Sequence, residues 1–227
     1  MIYITGDTHG SVDIEKLYKE NFDPVNMTKY DYVIILGDFG FIWKNVIDKT
    51  ELYWMNFFKH KPWTTLFIDG NHCNFNRLNQ YDVQQWNGGK IHYISDSVIH
   101  LMRGQVFTLQ GKKFFTFGGA QSYDKQYRIS NVSWWQDEIP SYKEVEEGFT
   151  NLEQHDYAVD YVLTHTSPSR FVQKMLPYAY PTDPTHKMLD AFEEKLKFKE
   201  WFFGHWHMDR HLSSKHRVVY HDVFKLF

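Results

Sequence analysis

The chain is 227 residues long, with 42% hydrophobic and 23% charged residues, a composition that excludes wholesale disorder and fits a domain with a sizeable core. Its 25 Lys+Arg against 28 Asp+Glu leave a net charge of -3, which excludes a polybasic coat for nucleic acid or a polybasic membrane binder. Apolar runs are far shorter than the roughly 20 residues a spanning helix needs, and the single cysteine, Cys73, forbids an internal disulfide. Together with a start that runs from Met1 straight into Ile2-Tyr3-Ile4, these features predict a cytoplasmic protein of one domain, residues 1–227.

In chain order, short apolar runs predict strands at residues 2–5, 32–36, 65–69, 90–94, 105–109, 114–117, 160–164, 200–203 and 218–224. Helical patterns fall at 12–19 and at 45–60, the second with Ile47, Trp54, Met55 and Phe58 available for one face. Two later helices carry start signals. Ser141-x-x-Glu144 is a capping box ahead of Val145, Phe149 and Leu152, although Gly148 interrupts the pattern. Asp183-Pro184 reads as an N-cap followed by proline at the first helical position, ahead of Met188, Leu189, Phe192 and Leu196. Strands alternating with helices predict an α/β layer architecture with a partly parallel sheet. The close spacing from 90 to 117 predicts antiparallel pairs, so the sheets are mixed.

Five of these runs end in residues that bind metal. Residues 2–5 lead into Gly6-Asp7-Thr8-His9, and 32–36 into Gly37-Asp38. Residues 66–69 lead into Gly70-Asn71-His72, 161–164 into His165, and 201–203 into Gly204-His205-Trp206-His207. In an open α/β sheet the carboxyl ends of neighbouring strands meet along one edge, where ligands bind. Asp oxygens with His nitrogens suit borderline divalent ions such as Mn, Fe, Zn, Ni or Co. Asp7, His9, Asp38, Asn71, His165, His205 and His207 are too many donors for one open site and enough for two ions that share a carboxylate. Any one fragment, such as Asp-x-His, is ordinary turn or surface chemistry. The order and the strand-end placement carry the reading.

On these residues the chain resembles the calcineurin-like metallophosphoesterase superfamily, over residues 7 to 207. The resemblance implies a four-layer α/β/β/α sandwich with two mixed β-sheets and a two-metal site at strand ends. It implies that Asp7, His9, Asp38 and His207 hold one ion, and that Asp38, Asn71, His165 and His205 hold the other. His72 matches the histidine that assists the leaving group. At two positions the chain departs from the common pattern. Phe41 stands where Gly-Asp-x-x-Asp ends in aspartate, and Cys73 stands where an acidic residue often follows Gly-Asn-His.

The expected reaction is hydrolysis of a phosphodiester or phosphomonoester, a nucleotide among the candidates, by a hydroxide held between two divalent ions. The loop from Gly118 to Arg128 offers substrate contacts: Tyr123, Lys125 as a point charge and Arg128 as a bidentate phosphate partner. Trp134 and Trp135 follow as possible stacking platforms, and 177–184 as a second wall. The expected partner is a small phosphate ester, with no membrane; nucleic acid is possible but not favoured. Other readings are a nuclease of the same fold, an inactive metal-binding scaffold, and two-metal hydrolysis of a bond other than a phosphate ester.

Overall fold

The computed structural model describes residues 1–176 and 183–227, so the aromatic part of the expected second wall, Tyr178 and Tyr180, lies outside the described residues. The strands are β1 (Ile2–Thr5), β2 (Tyr32–Ile35), β3 (Thr64–Phe67), β4 (Val83–Trp86), β5 (Gly89–Ser95), β6 (Val98–Leu101) and β7 (Gln105–Leu109). They continue as β8 (Lys112–Phe117), β9 (Tyr161–Thr164), β10 (Glu200–Phe203), β11 (Arg210–His211), β12 (His216–Val218) and β13 (Phe224–Lys225). The helices are α1 (Lys49–Lys59), α2 (Phe75–Leu78), α3 (Tyr142–Glu153), α4 (Ser169–Met175) and α5 (Pro184–Lys195).

Two sheets form. The first runs β13-β1-β2-β3-β6-β5-β4 and the second β11-β12-β10-β9-β8-β7. In the first, β1, β2, β3 and β6 are parallel; in the second, β12, β10, β9 and β8 are. Antiparallel strands flank both centres. Each sheet is therefore mixed, as expected.

The period-two alternation of side chains sorts these strands into layers. In β2 and β3, Ile34 and Leu66 enter the same buried cluster as Leu163 and Phe202 of the second sheet. Their neighbours Val33, Ile35 and Phe67 point the other way, onto Trp54 and Phe58 of α1. In the second sheet Val162, Trp201 and Phe203 likewise turn away from the shared cluster and meet Leu189 and Phe192 of α5. One core between the sheets and one under each helical layer make the α/β/β/α sandwich. A fully buried Leu or Phe contributes roughly 1.5–3 kcal/mol, so the shared core holds the two parallel centres in fixed register, strand ends side by side.

Caps set the helix starts. The Asp48 side chain accepts from the Glu51 amide at 2.9 Å, so α1 begins at Lys49 and not at 45. Ile47, expected on its buried face, is 59% exposed. The helix expected at 12–19 shrinks to a 3-10 turn, Ile14–Leu17, with Val12 exposed. The Ser141/Glu144 box is present as read. Gly148 belongs inside its helix because a Cβ there would lie 2.8 Å from the Phe192 ring and 3.3 Å from Gly104. The strand expected at 218–224 splits between the two sheets. Between its halves, the amides of Tyr220, His221 and Asp222 donate to the Asp209 carboxylate at 2.8, 2.9 and 3.2 Å and turn the chain.

Candidate metal centre

The ends of β1, β2, β3, β9 and β10 converge at the junction of the two sheets and bring all seven predicted donors together. Loop geometry is set by close approach. A Cβ on Gly70 would stand 2.1 Å from Asp38 Oδ1, and one on Gly204 would stand 2.2 Å from Asp7 Oδ1. Any larger residue would displace a carboxylate. Four donors, His9, Asp38, His205 and His207, sit at φ of 44°, 43°, 66° and 47°. Left-handed backbone costs a non-glycine residue about 1–2 kcal/mol. Here neighbouring bonds hold it: the Thr8 and His9 amides donate to the Asp38 carbonyl at 3.2 and 2.8 Å, and the His72 amide donates to Asp38 Oδ1 at 2.7 Å. The His205 amide donates to both Asp7 oxygens at 3.1 and 3.0 Å.

The side chains form three groups whose donor atoms all lie within 4.8 Å of one another: Asp7/His9/His207, His9/Asp38/His72 and Asp38/His165/His205. Asp38 joins them. Its Oδ2 lies 3.3 Å from His9 Nε2 and its Oδ1 lies 3.5 Å from His165 Nε2. Asp7 Oδ2 lies 3.3 Å from His207 Nε2. Asn71 turns its Oδ1 to within 3.1 Å of His165 Nε2.

The electrostatics show what this donor set needs. Burial alone would raise both carboxyls. Instead His165 and His9 hold Asp38 well below the usual carboxylate range, and His207 and His165 hold Asp7 below it. Burial opposes a charge on His9 and His165, yet Asp38 outweighs it and lifts each to about 9. No lysine or arginine pairs with either carboxylate among the described residues, so imidazole protons supply the positive charge. His205 goes the other way. Burial and then His165 push it down to about 3. Its Nε2 is buried with no hydrogen-bond partner among the described residues. Buried carboxylates short of cations and a neutral imidazole with an unused lone pair fit a divalent ion.

Around the donors stand residues that the sequence reading passed over. Asp13 Oδ2 lies 2.7 Å from His9 Nδ1, and the Leu36 carbonyl 2.8 Å from His165 Nδ1, so each ring turns Nε2 inward. Asn71 Nδ2 donates to Ser122 Oγ at 3.3 Å, and the Ser122 amide donates to Glu138 Oε2 at 3.1 Å. Burial lifts the Glu138 carboxyl to about 7. Lys16 Nζ donates to the Gly6, Asp7 and Tyr220 carbonyls at 3.2, 2.6 and 2.5 Å. The i+4 spacing of Asp13 after His9 was a readable signal. Ser122 lies in the loop expected to face substrate, whereas Glu138 had no local signal, since only the fold brings it near.

The three expected substrate residues divide. Arg128 is held by Asp124 at 2.8 Å and by the Ser133 carbonyl at 3.2 Å, and brings Nη2 to 3.3 Å from His72 Nε2. Tyr123 lies with its ring 6.3 Å from that of His205 and its hydroxyl 3.4 Å from His186 Nε2. Lys125 is exposed and sits 5.6 Å from the centroid of Trp134. Trp135, expected as a stacking platform, is 1% exposed and packs edge-on against Trp43 in the core. His72 lies over Trp43, the rings 5.8 Å apart at 26°. Burial, aided by Arg128, lowers its pKa despite Asp38. Cys73 is buried and its thiol is pushed well above the usual range by burial, then by Asp38 and Asp69, which suits a packing residue and not a redox-active one.

A four-layer sandwich with a carboxylate–imidazole cluster at its strand ends defines a class of protein that can take metal at the junction of its sheets. The chain belongs to the calcineurin-like phosphoesterase family, whose sequence profile matches residues 1–209. A comparison with curated proteins finds no match. No helix among the described residues is long and apolar enough to cross a membrane.

Proposed function

We propose that residues 1–227 form one catalytic unit, a two-ion phosphoesterase that hydrolyses a phosphodiester or phosphomonoester. The observation that carries this reading is the position of Asp38, whose two oxygens face different imidazoles, His9 at 3.3 Å and His165 at 3.5 Å. A carboxylate so placed is suited to bridge. Asp7, His9 and His207 complete one donor set around it, and Asn71, His165 and His205 the other. Divalent ions held there would supply an activated water and neutralise charge on the phosphate.

The protein's own groups position the ester. Arg128, fixed by Asp124 and the Ser133 carbonyl, presents a guanidinium beside His72 and binds the phosphate oxygens. His72 is neutral near pH 7, so it serves the leaving oxygen as a hydrogen-bonding group. A phosphate arriving between the two would take over the Arg128 donor and free the imidazole to hold a proton. Phe41 leaves this ring without a carboxylate from the second loop, and Arg128 and Trp43 hold it instead.

Purified protein loaded separately with Mn, Zn, Ni or Fe and assayed on aryl monoester and diester reporters tests the reading. Metal-dependent turnover that disappears in Asp38→Ala is the expected result. Turnover that survives Asp38→Ala would sink the two-ion arrangement. Unchanged activity in His72→Ala would remove that residue from the chemistry, and absence of turnover with every ion would favour a binding scaffold.

A further inference from the structure

Beside the metal centre opens a cavity of about 610 Å³, within the range that encloses most of a small organic ligand. One end is formed by His9, His72 and His207, so an occupant lies next to whatever the donors hold. Two of those imidazoles are each covered by a ring that also lines the cavity. Trp43 lies over His72, and Tyr220 stacks on His207 at 4.5 Å and 13°. The far wall is Phe41 against Trp54, centroids 5.1 Å apart. Phe41 is the residue that replaces the common aspartate, and here it makes a wall.

The charges on the lining are already spent within the protein. Asp13 is bonded to His9 at 2.7 Å, Lys44 pairs with Asp48, and Glu51 takes two bonds from Arg77 at 2.6 and 2.7 Å. Among the described residues the cavity therefore offers aromatic faces and edges but no unpaired ionic group to an occupant. A charged group would be desolvated there without compensation, whereas a neutral planar ring would stack.

We infer that this cavity holds the alcohol side of the scissile ester, and that this alcohol is a neutral planar aromatic: a nucleoside or an aryl alcohol. The inference rests on the phosphoesterase reading for its orientation, with phosphate at the imidazoles and the leaving group against Phe41, Trp43 and Trp54. Recognition itself needs neither metal nor ester.

The test is calorimetric titration of chelator-treated protein with two matched pairs: adenosine against methyl riboside, and 2-naphthol against its fully saturated analogue, decahydro-2-naphthol. At least one aromatic member is expected to bind about tenfold or more tightly than its partner. Preference for adenosine assigns the nucleoside, and preference for 2-naphthol assigns the aryl alcohol. In Trp43→Leu, compared after thermal unfolding shows it folded, that preference should fall by about tenfold. Equal binding within both pairs would overturn the inference in the wild-type protein alone, with no variant required. So would a preference untouched in folded Trp43→Leu. Selective binding without turnover on any phosphate ester would leave the cavity standing and remove the phosphoesterase reading; turnover without selectivity would do the reverse.

Discussion

Two buried carboxylate–imidazole clusters meet the segment that follows β3, one through Asn71 and the other through Asp69, and they behave differently. In one, Asp7 and Asp38 face His9, His165, His205 and His207, with no lysine or arginine in an ion pair among the described residues. In the other, Asp69 accepts from Arg103 Nε and Nη2 at 2.8 and 2.6 Å and meets His100 at 3.2 Å, with His92 behind it at 3.1 Å. Arg103 also reaches the Asp137 carbonyl at 2.8 Å and Glu144 at 3.3 Å. The second cluster carries its own permanent cation and is complete as a strut that pins β3 to the loop before α3. The first borrows protons and leaves a lone pair unused. The carboxylate that holds a guanidinium is complete within the protein, whereas the pair that lacks one keeps donors fitted to an ion.

That contrast can be broken from either side. Asp38→Asn should abolish ion binding at the bridge and with it nearly all hydrolysis. In chelator-treated protein it should cost less stability than Asp69→Asn, because it also removes one of two buried like charges. Asp69→Asn should lower the unfolding free energy by about 3–5 kcal/mol, since it leaves the buried Arg103 guanidinium to the Asp137 carbonyl and the longer Glu144 contact. Denaturant melts of the two variants side by side read this difference, and equal losses would erase the distinction.

The acid limb of stability sharpens the same point. Burial, and then His100, hold His92 down to about 4, below the ordinary 6.5. The unfolded chain therefore binds a proton first, and stability falls as pH drops below 6.5. Burial would raise Asp69, but Arg103 and His100 hold it far below its ordinary 3.8. Its contribution is fully present above about pH 4 and is lost as pH falls further. Melting temperatures from pH 7 to 3 should show a shallow decline followed by a steep one. The steep part should flatten in Asp69→Asn.

A smaller effect tests the shell around the donors. Ser122→Ala removes the acceptor that orients the Asn71 amide, and should weaken ion binding by about 10–100-fold with the fold intact. Ion titration beside a thermal melt reads this, and unchanged affinity would remove Ser122 from the centre.

How much of this was legible in the sequence follows from range. The donors were readable because each sits directly after an apolar strand, and strand periodicity is local. β1, β7 and β10 matched their expected bounds for the same reason. β4 was missed because its Gln84 and Gln85 sit on an exposed edge and lack an apolar face. The turn at 219–223 was missed because Asp209, eleven residues away from Tyr220, satisfies its amides. Ser122, Glu138 and Arg103 act through contacts across sheets, which no local pattern encodes. Trp135 shows the converse error: an aromatic beside a polar loop looked like a platform, and packing claimed it.

The most direct test is to count tightly bound divalent ions per chain, by elemental analysis after dialysis, in wild-type protein and Asp38→Asn while recording phosphoester turnover. Two ions with turnover in the wild type, and loss of both in the variant, is the predicted result. Full turnover with fewer than two ions, or two ions retained in Asp38→Asn, would contradict a centre bridged by Asp38.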